Sequence, residues 1–232
     1  MKLTLLEKRQ EEENITTFVF EPSEALGWQA GQFLHYTLPH ENMDDRGNER
    51  WFTISSAPFE KNVQITTRHA EKGSSFKNAL FAMNPSDTIE ADGPEGEFVI
   101  GNPSEKVVMI AGGIGITPFR SMLAELDHAG TPIKAKLLYA NRDEHFVFKE
   151  ELDQIAAKHP DFTIHYVVDP ERIDENLIRN EVSDLTGPLF LVSGPKPMVL
   201  AFQDMLVSWG APEDHVKRDS FPGYEWTGSS EK

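Results

Sequence analysis

Short apolar segments separated by polar, Gly or Pro breaks fill the first hundred residues, and at the N-terminus apolar and polar residues alternate before the chain turns acidic. KLTLLEK, ITTFVFEP, GQFLHYTLP, RWFTISSA and VQITTRH are rich in β-branched and aromatic residues. Short strands at this spacing predict an antiparallel barrel or sandwich. One stretch departs from it: Phe76, Leu80 and Met83 recur at near-helical intervals and predict a helix over residues 74–83. A last strand, TIEAD, runs into Gly93-Pro94-Glu95-Gly96-Glu97-Phe98.

After Gly101-Asn102-Pro103-Ser104 the pattern changes. VVMIA, AKLLYA, TIHYVV and LFLVSG are continuous apolar runs alternating with helical segments at residues 118–128, 147–159, 175–182 and 197–209. Strands that are apolar on both sides belong to a parallel sheet covered by helices on both faces. The expected fold is therefore two domains, an all-β domain at 1–102 and an α/β domain at 103–232 that ends on the sheet segment HVKRDSF. The tail WTGSSEK is expected to be mobile.

Charge narrows the partners. Among 232 residues, 22 Lys and Arg stand against 38 Asp and Glu, a formal charge of −16, which repels nucleic acid and anionic lipid surfaces. There is no cysteine, which excludes disulfides, a thiol nucleophile and a cysteine-bound iron–sulfur cluster within these residues. The N-terminus lacks the basic-then-apolar order of a signal peptide. VVMIAGGIGI is far shorter than the ~20 residues that span a bilayer. A cytoplasmic protein without membrane insertion is expected. The histidines, His35 and His40 among them, show no HExxH spacing, so no metal site is expected, and no Gly-x-Ser-x-Gly elbow suggests a hydrolase. The run Glu11-Glu12-Glu13 reads as a solvated turn.

Two segments carry chemistry. In VVMIAGGIGITPFRSML a buried strand runs into Gly112-Gly113-Ile114-Gly115, after which Thr117 and Pro118 read as the N-cap and first residue of a helix. Glycines allow backbone amides close to a pyrophosphate, which a helix N-terminus attracts, although tight strand-to-helix turns use glycine for packing as well. Proline stands where the third glycine of the dehydrogenase fingerprint would fall, and no Gly-Lys-Ser/Thr follows. In the second segment, Arg50-Trp51-Phe52-Thr53-Ile54-Ser55-Ser56, strand periodicity sends Arg50, Phe52, Ile54 and Ser56 to one face and Trp51, Thr53 and Ser55 to the other, unless the strand bends before Pro58.

Arg-x-Phe-Thr-Ile-x-Ser resembles the flavin-binding Arg-x-Tyr-Ser-x-x-Ser motif of the ferredoxin–NADP reductase superfamily. Four further segments are similar to that family's in the same order: Gly73-Ser74-Ser75, Gly93 to Phe98, Gly112 to Pro118, and Ser193-Gly194-Pro195. The resemblance implies a Greek-key flavin-binding barrel followed by a nicotinamide-dinucleotide domain. It implies that Arg50 pairs with the flavin phosphates, Phe52 lies against the isoalloxazine and Thr53 sits near flavin N5. Ser56, Gly73, Ser74 and Ser75 would complete the phosphate and ribityl contacts, with Thr66 counted among them. Gly112, Gly113, Gly115 and Thr117 would hold the dinucleotide, with Gly194 and Pro195 beside it and Ser193 next to the nicotinamide, where many members carry cysteine. Phe52 replaces the usual tyrosine and removes one hydroxyl.

The implied activity is hydride transfer from NAD(P)H to bound FAD, or FMN, and onward delivery of electrons to a separate ferredoxin, flavodoxin or oxygenase component. Reduction of free flavin and a nonenzymatic electron-transfer role are the alternatives. Asn141 and Arg142 stand at the strand end where coenzymes are told apart, and Arg142 tips the expectation toward NADPH. Phe221 or Tyr224, less so Trp226, is expected to cover the flavin.

Overall fold

A computed structural model of the chain describes residues 1–69 and 73–221, so WTGSSEK, Tyr224 and Trp226 lie outside the described residues. The chain divides into two compact units, Met1–Ile100 with Arg120–Ala129, and Gly101–Phe119 with Gly130–Lys232.

The first unit is built on six strands: β1 (Lys2–Glu12), β2 (Ile15–Pro22), β3 (Phe33–Thr37), β4 (Glu49–Thr53), β5 (Val63–Arg68) and β6 (Thr88–Glu95). They form one antiparallel sheet in the order β4-β3-β6-β1-β2-β5. Its end strands β4 and β5 follow one another in the chain. Just past β4, Ile54 N–H donates to Gln32 O and Ser55 N–H to Gln64 O, each at 2.9 Å, so the chain crosses from one end of the sheet to the other. That crossing makes the sheet a barrel and decides between the two expected all-β forms. It is also the bend in the Arg50 strand. Alternation holds through β4, with Trp51 exposed and Phe52 packed on the core, and then gives way to a wholly buried run from Thr53 to Ala57.

The barrel interior gathers Leu3, Phe18, Phe20, Leu34, Tyr36, Ile54 and Ile65, all essentially inaccessible. Helix α1 (Ser75–Ala82) adds Phe76 and Leu80 from one face, and Ser74 caps it by accepting Lys77 N–H at 3.2 Å. The strand expected as TIEAD continues as β6 to Glu95.

The second unit holds five parallel strands, β7 (Val107–Gly112), β8 (Ala135–Asn141), β9 (Phe162–Val168), β10 (Leu189–Pro195) and β11 (Val216–Phe221), in the order β11-β10-β7-β8-β9. Every residue of central β7 is buried, which is why its sequence is apolar without alternation. A 3-10 turn at Gly113–Ile116 leads into helix α2 (Thr117–His128), and α3 (Lys149–Lys158), α4 (Glu175–Glu181) and α5 (Lys196–Ser208) follow. The unit boundary cuts α2 after Phe119.

One expectation at this turn is corrected. Thr117 is not an N-cap: its backbone is already helical (φ −55°, ψ −47°), and its hydroxyl donates to Ile114 O at 3.2 Å. The 3-10 turn has started the helix one turn earlier, so the threonine satisfies a carbonyl where a cap would satisfy an amide. Among the described residues no helix is long and apolar enough to cross a membrane.

Candidate functional site

In the first unit the Arg50 strand meets the start of α1. Arg50 donates from Nη1 to the carbonyls of Arg46 (2.8 Å) and Gly47 (3.3 Å), and from Nη2 to Asp44 Oδ1 at 3.3 Å. Its guanidinium carbon lies 5.5 Å from the centroid of the Phe76 ring, and Phe52 packs 5.9 Å from Phe76. Cross-strand pairing puts Tyr36 opposite Arg50, and Tyr36 and Phe52 meet edge to face at 5.8 Å. Burial raises the Tyr36 hydroxyl far above its ordinary range. Arg50, Phe52 and Ser75 are thus brought together on one side of the barrel.

The amide of Ser75, first residue of α1, donates to Asp44 Oδ2 at 2.9 Å. That bond, ahead of those from Arg46, lowers the Asp44 carboxyl to about 2. A helix N-terminus and a guanidinium already converge on one anionic side chain, which is the donor chemistry that a phosphate requires. Gly73 and Ser74 form the approach to this helix, and Gly73 is half-buried.

Thr53, Ser55, Ser56 and Thr66 are buried. Thr66 Oγ1 bonds Thr17 Oγ1 at 2.8 Å and Ser55 Oγ at 2.9 Å, and Ser55 Oγ donates to Gln64 O at 3.1 Å. Ser56 Oγ accepts Gln64 N–H at 3.1 Å. The structure therefore puts Thr66 in a chain of hydroxyls inside the barrel wall.

In the second unit the sheet order reverses between β7 and β10: successive strands leave β7 through β8 to β9, and the chain then returns to the other side of β7. In open α/β sheets the crevice at such a reversal, beyond the carboxyl ends of the strands, is where nucleotides bind. Both strand ends here carry glycine. A Cβ on Gly115 would run into Ser193 O and the Gly194 backbone, and one on Gly194 would stand 3.2 Å from Gly112 O, whereas one on Gly112 would meet the flexible end of Met198. Gly115 and Gly194 let the two loops touch. Gly113 differs: its φ is +53° and a Cβ there would meet only Asn141 Oδ1, at 3.9 Å, so its surface faces open space. The cradle fits a dinucleotide backbone.

Ser193, wholly buried, pairs with Ala111 and Asp219 in the sheet, and its hydroxyl donates to Asp219 Oδ2 at 3.3 Å. Pro195 and Phe221 are paired at the ends of β10 and β11. Asn141 Nδ2 donates to Asp143 Oδ1 (3.2 Å) and His145 O (2.8 Å), pinning the loop after β8, from which exposed Arg142 projects.

Residues 2–100 match the oxidoreductase FAD-binding domain and residues 109–204 the oxidoreductase NAD-binding domain. The chain belongs to the ferredoxin–NADP reductase superfamily. This is a family of NAD(P)H-dependent flavin oxidoreductases. FAD and a nicotinamide dinucleotide are what its two domains bind. The chain is 27% identical over 91% of its length to the glycine betaine monooxygenase reductase subunit of Chromohalobacter salexigens, covering 61% of that protein. It is 29% identical over 90% of its length to NADH-cytochrome b5 reductase 1 of Aspergillus clavatus, covering 74% of it. The cytochrome b5 reductase domain of Ulva prolifera nitrate reductase superposes with a TM-score of 0.78 at 25% identity, over 94% of this chain and 96% of that one. The chain spans between 57 and 61% of the length of the first curated relatives it matches.

Four residues of this architecture escape a reading of the sequence: Asp44, Glu60, Arg120 and Asp219. Arg120 is only 8% exposed, donates from Nη1 to Ser55 O at 3.2 Å and holds both carboxylate oxygens of Glu60. A signal for it existed, since an arginine between Phe119 and Ser121, in a turn that also carries Met122 and Leu123, has to find a partner.

Proposed function

We propose that this chain takes hydride from NAD(P)H onto FAD and passes electrons singly to a separate acceptor protein, a ferredoxin, flavodoxin or oxygenase component. FAD, when bound, supplies the exchange between two-electron and one-electron chemistry. Residues 1–102 serve as its domain and 103–232 as that of the coenzyme. The observation that carries this reading is the pairing within one chain of two anion-binding cradles, each in the domain type that matches its cofactor: Arg50 with the start of α1, and the glycine loop at the sheet reversal.

In this reading Arg50, Gly73, Ser74 and Ser75 hold the flavin phosphates, Phe52 supports the isoalloxazine, and Thr53 and Ser56 fix its edge. Gly112, Gly113, Gly115, Thr117, Gly194 and Pro195 hold the dinucleotide, Asn141 and Arg142 contact its adenosine half, and Ser193 lies beside the nicotinamide. Phe221 stays a candidate cover for the flavin. The −16 charge favours an acceptor that presents a basic face. The reductase-subunit relative supports an oxygenase component in that role.

The test is anaerobic stopped-flow reduction of the purified full-length protein with NADH and NADPH in parallel. Bleaching of bound flavin in a single turnover, followed by reduction of an added one-electron acceptor, is the expected result. A flavin that neither coenzyme bleaches overturns the reading, as does a colourless protein that only reduces added free flavin.

A further inference from the structure

The segment between β3 and β4 is tied across the start of α1 by two residues. Asp44 Oδ2 accepts Ser75 N–H (2.9 Å) and Arg46 Nη2 (3.1 Å), and its Oδ1 accepts Arg46 N–H (3.0 Å) and Arg50 Nη2 (3.3 Å). In return the Asp44 amide donates to Ser75 Oγ at 2.9 Å. His40 Nδ1 lies 2.7 Å from Leu38 O, and a carbonyl can only accept, so the proton is on Nδ1 and Nε2 accepts the Ser75 hydroxyl at 2.9 Å. Ser75 therefore has its amide, its hydroxyl proton and one lone pair all engaged by residues 40 and 44.

We propose that Asp44 is a built-in occupant of the flavin-phosphate site, a carboxylate that holds the Ser75 amide and the Arg50 guanidinium until a flavin phosphate displaces it. The proposal rests on the reading that Arg50 and the start of α1 receive that phosphate. Three features carry it. The donors Asp44 engages, a helix-start amide and a guanidinium, are the ones a phosphate oxygen would use. They come from separate parts of the chain, α1 and β4, and Asp44 is the anion that both share. The segment that delivers Asp44 has an open exterior, with residues 41–43, 45 and 46 exposed, so it can lift away while His40 stays on the buried Phe76 ring.

Displacement has a quantitative consequence. Apparent flavin affinity equals the intrinsic affinity multiplied by the fraction of molecules in which the site is free. A phosphate carries more charge than a carboxylate and wins when flavin is plentiful, but the competition weakens binding and frees residues 42–47 on occupation. The start of α1 thus has its anion partner in both states, and flavin affinity is set by a side chain that does not touch bound flavin.

The experiment compares binding of FAD, FMN and riboflavin to flavin-stripped full-length wild type, Asp44→Asn and Arg50→Ala, by fluorescence titration with a melting temperature for each. Asparagine keeps the capping oxygen and removes the charge. Asp44→Asn is expected to bind FAD and FMN about tenfold more tightly, the scale of one charge-assisted hydrogen bond, and riboflavin unchanged. Equal or weaker binding of FMN by a folded Asp44→Asn protein overturns the proposal. An Arg50→Ala protein with wild-type FMN affinity overturns instead the phosphate reading beneath it. Deuterium uptake in wild type serves as the second measurement, independent of any variant: residues 42–47 should exchange faster once FMN is bound. Unchanged uptake there means that Asp44 stays in place, and overturns displacement even where Asp44→Asn binds more tightly.

Discussion

Ser121 donates its hydroxyl to the backbone carbonyl of Ser56 at 2.6 Å, and its neighbour Arg120 donates to the carbonyl of Ser55 at 3.2 Å. Two consecutive residues of α2 thereby satisfy two consecutive carbonyls of the segment that follows the Arg50 strand. Buried carbonyls need such partners, and here they come from a helix about 65 positions further along the chain.

Arg120 is expected to dominate that junction. Replacing it with methionine leaves the Glu60 carboxylate without its guanidinium and Ser55 O without its donor. Breaking a buried pair costs ~3 to 5 kcal/mol, and the low end applies because the Glu60 side chain is 19% exposed. Denaturant unfolding should show Arg120→Met strongly destabilised and the double variant Arg120→Met, Glu60→Gln partly restored. A single variant within ~0.5 kcal/mol of wild type would mean the pair is ornamental.

The glycines of the second unit should differ sharply. Alanine at Gly115 would press its methyl on the backbone of Ser193 and Gly194, which cannot retreat without disturbing β10. Overpacking of this kind costs ~1 to 3 kcal/mol or more. Gly113 needs a left-handed backbone but has room, so asparagine, which tolerates that conformation, should be accepted with little change. Melting temperatures that rank Gly113→Asn below Gly115→Ala would contradict this packing.

Asp44 makes acid stability measurable. Its carboxyl is lowered from 3.8 to about 2 in the folded protein, so the stabilisation it gives is complete above pH 4 and is lost as pH falls toward 2. The melting temperature of wild type should exceed that of Asp44→Asn by a small margin at pH 6, and the gap should close between pH 4 and 2. A gap that widens on acidification would contradict the assignment.

Arg142→Ala should raise KM for NADPH roughly tenfold, the effect of losing one guanidinium–phosphate contact, and KM for NADH much less. Steady-state kinetics with both coenzymes checks it. Equal effects would remove Arg142 from coenzyme choice.

Much of the fold was legible because periodicity is a local property. The α1 helix differs from its expected 74–83 span only by its two caps, Ser74 and Met83, and the apolar runs of the second half are strands β7 to β10. Ties between distant residues were not legible. Asp44 meets Ser75 across 31 positions and Glu60 meets Arg120 across 60, and nothing in either segment names the other. Thr66 shows the opposite limit. A hydroxyl on a half-apolar strand reads equally well as a ligand contact or as a wall residue, and only its neighbours Thr17 and Ser55 reveal where its hydrogen bonds go.

Those neighbours also give the wall a polarity. The Ser55 proton is committed to Gln64 O, so Thr66 must donate to Ser55, and Thr17 must in turn donate to Thr66. The protons point one way, from β2 through β5 to the end of the Arg50 strand. A link in the middle of such a line is worth more than a link at its start. Valine at Thr66 strands both the proton of Thr17 and a lone pair of Ser55, whereas valine at Thr17 strands only a lone pair of Thr66. Three small hydroxyls thus lock the barrel's crossing point in a single orientation, because an inverted order would turn the Ser55 proton to Thr66 and take it from Gln64 O.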